Sequence, residues 1–159
     1  MKEDKKMPVA QDEGENLQPS GRQKLKFRWL AGAYAIVRMD AETTIPDWAT
    51  KGVFSSVTRT GDELSIVCPA DNLPADLSAG SHWICFKLEG PFLFSQTGVL
   101  LSFVEPLSNN SVPIFAISTY DTDYVLVQEE FMDVAQPALG TAGHALISDD
   151  DESGRKLIE

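Results

Sequence analysis

The chain has 159 residues, 43% of them hydrophobic, and a formal charge of −11. That length fits one compact domain or two very small ones. The charge is uneven: residues 1–28 sum to +2, residues 29–147 to −10 and residues 148–159 to −3. An acidic body repels nucleic acid and anionic membrane surfaces, which need a basic face, and favours a cationic ligand or partner.

No stretch approaches the ~20 apolar residues of a membrane span. The N-terminus is charged and lacks the apolar segment of a signal peptide, so a cytoplasmic protein is expected. Cys68 and Cys85 each lie in an apolar run and are expected to be buried free thiols rather than a disulfide.

Residues 1–22 are polar and read as a disordered tail, with Met1 or Met7 as the start. Residues 32–39 read as a strand and 45–49 as at most a short helical turn, with Pro46 fit for a first helical position. Residues 53–59 and 63–68 read as a hairpin around Thr60, Gly61 and Asp62, with Gly61 free to take a positive φ. Residues 69–81 are loop. A strand over 83–89 follows, then a helix over 95–107, in which Val99, Leu100, Phe103 and Leu107 recur at helical spacing. Pro106 is expected to bend or end its last turn. Residues 113–119 and 124–128 form a second hairpin. A helix over 129–139 carries acids in its first turn, where they suit the helix dipole. A short strand over 144–147, begun by His144, closes the fold. Residues 148–159 open with four acids and read as a second solvated tail.

The two hairpins are near-repeats. The segment from Val57 to Val67 is echoed from Ile117 to Val127, a separation of 60 residues, whereas the opening strands are separated by about 51. The second half reads β-α-β-β-α-β, the ferredoxin-like split unit; the first half has the same order with stunted helices. The expected fold is therefore α+β: an abridged unit over 28–81 and a full unit over 82–147, packed side by side with a ligand groove between them.

Two stretches carry chemistry. The first is the turn into the long helix, with Thr97, Gly98 and Val99. A helix start presents unpaired N–H groups and partial positive charge, and Gly98 lets a carboxylate approach the backbone. A plain helix start capped by Ser95 or Thr97 gives the same pattern. The second is Ser118, Thr119, Tyr120, Asp121, Thr122 and Asp123. Its carboxylates and hydroxyls suit an ammonium or guanidinium group, while a solvated turn with side-chain-to-backbone bonds accounts for it equally. Catalytic signals are weak. His82 and His144 have no partner pattern, and a His82–Cys85 dyad would span opposite faces of a strand. No CxxC, HExxH or P-loop is present. Asp121 and Asp123 lack the glycine and terminal glutamate of a calcium loop. No catalytic residue, metal site or cofactor is expected.

The stretch from Gly90 to Leu100, followed by that from Val112 to Val127 with its Ile117-Ser118-Thr119-Tyr120-Asp121-Thr122-Asp123-Tyr124 string, resembles the ACT domain. The match is to its tandem branch, similar to CASTOR-type arginine sensors and the regulatory region of aspartate kinases, and covers about residues 28–147. The resemblance implies a binding module rather than an enzyme, with two ACT subdomains that pair side by side and hold an amino acid or related metabolite between copies. It maps the ligand contacts onto Thr97, Gly98 and Val99 and onto Ser118 to Asp123. With no catalytic domain alongside, such a pair is expected to act through homodimerisation or a regulated partner protein. A ligand-free interaction or dimerisation module is the competing expectation.

Overall fold

The computed structural model describes residues 22–77 and 80–148; both expected tails, apart from Arg22 and Ser148, and the choice of start lie outside the described residues. Strands β1 (Lys26–Trp29) and β2 (Tyr34–Met39) are followed by a 3-10 turn over Asp47–Thr50, the β3 (Ser56–Arg59)–β4 (Leu64–Pro69) hairpin and a second 3-10 turn over Ala70–Asn72. Then come β5 (Trp83–Leu88), α1 (Val99–Asn109), the β6 (Ile114–Ser118)–β7 (Asp123–Gln128) hairpin, a third 3-10 turn, α2 (Met132–Thr141) and β8 (Ala145–Leu146).

The expected α+β order holds, but the ferredoxin-like sheet does not close as expected. β8 pairs in parallel with β1, and β1 pairs antiparallel with β5, so β1 is inserted where the closing strand was expected to meet β5. Sequence reading passed over β1. Its signal is a strict alternation, Leu25, Phe27 and Trp29 against Lys24, Lys26 and Arg28, which is the period of a strand with one buried face. Leu25 and Phe27 enter the core under the helices.

The eight strands of the described residues form one continuous sheet, in which β2 meets β5 through a single bridge, Tyr34 to Trp83. In a flat sheet β3 and β6 would lie roughly 24 Å apart, five strand spacings. Instead Ser56 and Thr58 of β3 and Phe115 and Ile117 of β6 line one cleft. The sheet therefore folds over at the β2–β5 junction, and the halves meet face to face rather than side by side. Tyr34, Phe54 and Val67 of the first half pack on Cys85 and Leu126 of the second. Phe54 stacks on Tyr124 at 4.1 Å. The other face of the second half buries Phe86, Leu88 and Val125 under Phe103, Leu107 and Leu139 of the two helices. On the outer face of the first half, Trp48 and Ala49 of the first 3-10 turn and Leu73 pack on Leu64, Ile66 and Cys68.

The repeat is visible in the hairpins, with a one-residue correction. Thr60 N–H donates to Glu63 O at 2.9 Å while Glu63 N–H donates to Thr60 Oγ1 at 3.1 Å. Thr119 N–H donates to Thr122 O at 2.8 Å, and Thr122 N–H to Thr119 Oγ1 at 3.3 Å. Thr60 thus corresponds to Thr119, a separation of 59 rather than 60. The difference matters because a slip of one residue exchanges the faces of a strand: Val57 belongs to the outer cluster and Ile117 to the cluster between the halves. Gly61 does not take the positive φ expected of it; the Thr60 side chain closes the turn.

Candidate ligand-binding site

The helix expected from residue 95 begins four residues later, and neither Ser95 nor Thr97 caps it. Gly98 is the N-cap, at φ +77°, and no side chain caps the helix. A left-handed residue here is strained for anything but glycine. With no cap, the first-turn N–H groups stay available to whatever occupies the space before them.

The two chemistry-bearing stretches converge on one cavity of about 420 Å³. Gly98 and Val99 line it from the helix start, and Ser118, Thr119, Tyr120, Asp121, Thr122 and Asp123 line it from the β6–β7 turn. Thr97 does not; its carbonyl is turned to the Gln23 side chain, which donates to it at 2.9 Å. Three apolar residues of the 90–98 loop, Phe92, Leu93 and Phe94, add a wall that sequence reading missed. Their signal is an apolar run inside a turn, between a Gly-Pro pair and Ser95, with no helix or strand to bury it.

The two loops are tied to each other. Phe92 N–H donates to Asp121 O at 2.8 Å, and Thr122 Oγ1–H donates to Leu88 O at 2.7 Å. A Cβ on Gly90 would lie 2.7 Å from Asp121 O, so only glycine lets the two backbones approach this closely. The Phe94 and Tyr120 rings meet edge to face at 4.8 Å although they are 77% and 79% exposed. Exposed aromatics in mutual contact make a preformed apolar rim.

These bonds sort the polar residues by what they can still do. Thr122 is 7% exposed and its hydroxyl is spent on Leu88 O, so it is structural. The Thr119 hydroxyl closes the turn. Ser118 Oγ–H donates to one Asp123 oxygen, and among the described residues no hydrogen bond or ion pair engages the second Asp123 oxygen or the Asp121 carboxylate. Among the described residues the lining thus holds two carboxylates and no Lys, Arg or His. It can accept hydrogen bonds from a cation at the turn and offer backbone N–H groups to an anion at the helix start.

The cavity belongs wholly to the second half, not to the seam between halves, because the sheet folds the other face of β6 toward β3. The seam has its own cleft, about 380 Å³, where Ser56, Thr58 and Ser65 face Phe115 and Ile117. A further cleft of about 460 Å³ lies between α1 and α2 and is lined by none of the residues of the two stretches.

Both thiols are buried and free, as expected. Burial pushes the Cys85 thiol up to about 12 and raises Cys68 as well, so neither is a thiolate at neutral pH. His82 is exposed and lies 3.8 Å from Glu129 rather than facing Cys85. No group of three or more metal-ligating side chains exists among the described residues. No helix among them is long and apolar enough to cross a membrane.

Residues 78–141, the βαββα part of the fold that holds this helix start and the β6–β7 turn, match the ACT domain family. Residues 32–76 match a second family described only as an N-terminal domain. The chain belongs to one family with protein Atu0741 of Agrobacterium tumefaciens: the two are 44% identical, over 79% of this chain and 93% of that one, with a TM-score of 0.72. A protein of unknown function from Vibrio cholerae, described as a possible transport protein, shares the fold at 20% identity and a TM-score of 0.61, over 77% of this chain and 92% of that one. No curated protein matches.

Proposed function

We propose that this protein is a cytoplasmic, non-catalytic regulatory module that binds a free amino acid or closely related metabolite in the cavity between Gly98 and the 118–123 turn. The ligand's α-carboxylate meets the first-turn N–H groups of α1. Its ammonium group, or a cationic side chain, meets Asp121 and the open oxygen of Asp123. Ser118 positions that carboxylate, and the Phe94–Tyr120 rim covers the apolar part. The observation that carries this reading is the convergence of two distant stretches on one cavity whose charged side chains, among the described residues, are both carboxylates. The first half is an abridged ACT-like relative; its matching hairpin bonds support the tandem reading.

A second copy completes the module. β6 pairs only with β7 among the described residues, and Leu101, Ile114 and Phe94 are exposed nearby. Such an open apolar edge is a ready surface for another chain. The ligand shifts the dimer or a partner equilibrium only to the extent that it binds the two states differently. The same edge favours the competing reading, a ligand-free interaction module. A calorimetric screen of the twenty amino acids at millimolar concentration separates them. Heat from at least one, lost in an Asp121→Ala/Asp123→Ala variant, supports binding. No heat from any of them, with self-association intact in that variant, supports the interaction module.

A further inference from the structure

We propose that residues 22–25 form a latch on the helix start of the cavity, with Gln23 as its positioning residue; the functional consequence rests on the binding reading above. The Gln23 side chain donates to Thr97 O at 2.9 Å, and its backbone N–H donates to Ser102 Oγ at 3.2 Å. Ser102 Oγ–H in turn donates to Gly98 O at 2.7 Å, alongside Ser102 N–H at 2.9 Å. Among the described residues, and apart from its chain neighbours, a Cβ at Gly98 would find one atom within 4 Å, the Gln23 amide nitrogen at 3.7 Å. The arm thus holds both peptide groups of the left-handed turn through one side chain and one buried hydroxyl.

The arm has a second anchor, created by a proline. Pro106 has no N–H to give to Ser102 O four residues back. His144 Nε2–H donates to that carbonyl at 2.9 Å instead, and His144 Nδ1 accepts the Leu25 N–H at 3.1 Å. The arm, the first turn of α1 and the start of β8 therefore form one network centred on Ser102. By contrast, the Arg22–Glu105 ion pair at the tip is exposed and adds little.

Coupling is reciprocal. An occupant that fixes Gly98 tightens the arm, and withdrawal of the arm releases Thr97 O and loosens the turn that an occupant needs.

Amide exchange followed by NMR on the full chain, without ligand, tests the latch independently of the amino-acid screen. Gln23→Met keeps length and removes the donor. The Gln96 and Ser102 amides, bonded to Leu93 O and Gly98 O, are expected to exchange roughly three- to tenfold faster, while Leu126 and Val127 in β7 hold their rates. Adding Ser102→Ala should accelerate Gln96 by less than the product of the two single effects, because both act through one network. Unchanged rates at 96 and 102, multiplicative effects, or acceleration of all amides together would overturn the proposal.

Discussion

Gly90 offers a test of the loop-to-loop contact that builds the cavity wall. Its φ is not in the left-handed region, so alanine there carries no backbone strain. On entropy alone Gly90→Ala would stabilise the protein by about 0.4–1 kcal/mol. Against this, the new Cβ would sit 2.7 Å from Asp121 O and 3.1 Å from Phe92 N. Both are backbone atoms, so no side chain can rotate aside; the 118–123 turn must retreat by several tenths of an ångström. Overpacking of this kind costs about 1–3 kcal/mol, and the retreat weakens the 2.8 Å bond from Phe92 N–H to Asp121 O, worth about another 1 kcal/mol. Sterics outweigh entropy, and a net loss of roughly 1–3 kcal/mol is expected. Urea denaturation with an unchanged m-value reads it directly. Gly61→Ala is the control: nothing lies within 4 Å and its φ is ordinary, so it should be neutral or slightly stabilising. Equal stability of the two variants would refute the close approach.

Three further outcomes are expected. Phe54→Ala removes the ring stacked on Tyr124 and edge-on to Tyr34, so denaturation should show a loss of about 3–5 kcal/mol; a loss below about 1 kcal/mol would deny the face-to-face seam. His144→Ala leaves Leu25 N–H and Ser102 O without partners and should cost about 2–4 kcal/mol, checked by the same measurement. In alkali, burial holds the Cys85 thiol and the Tyr34 phenol at about 12, above their ordinary 9 and 10. The unfolded chain releases these protons first, so stability that is full below pH 9 falls as pH rises toward 12. Cys85→Ala should flatten that decline by about 1.4 kcal/mol per pH unit; an unchanged slope from pH 9 to 12 would contradict it.

Much of this was legible in the sequence where local pattern decides the outcome. Both hairpins, β5, the two helices and the free thiols follow from periodicity and from turn residues. The Gly98 and Ser118–Asp123 stretches were also readable, because glycine at a helix start and crowded carboxylates in a turn are local signals. What escaped was non-local. The alternation from Lys24 to Trp29 marks a strand, but nothing near it says that it inserts between β5 and β8. The fold-over at β2–β5 depends on Phe54 finding Tyr124, residues 70 positions apart. That fold-over moved the seam away from the cavity. That Thr97 lies outside the cavity lining was also not legible, because the Gln23 side chain that holds its carbonyl is 74 residues earlier. The bond that occupies the Thr122 hydroxyl is likewise invisible in a run of polar residues, because its acceptor Leu88 O lies 34 residues away.

The central claim is that a zwitterion sits between the start of α1 and the 118–123 turn. Backbone amide shifts, followed by NMR while an equimolar mixture of the twenty amino acids is titrated in, test it most directly. The account predicts saturable shifts concentrated at Gly98, Val99 and Leu100 and from Ser118 to Asp123. Absence of shifts at millimolar concentration, or shifts concentrated instead at Ser56, Ser65 and Phe115 in the seam, would contradict it.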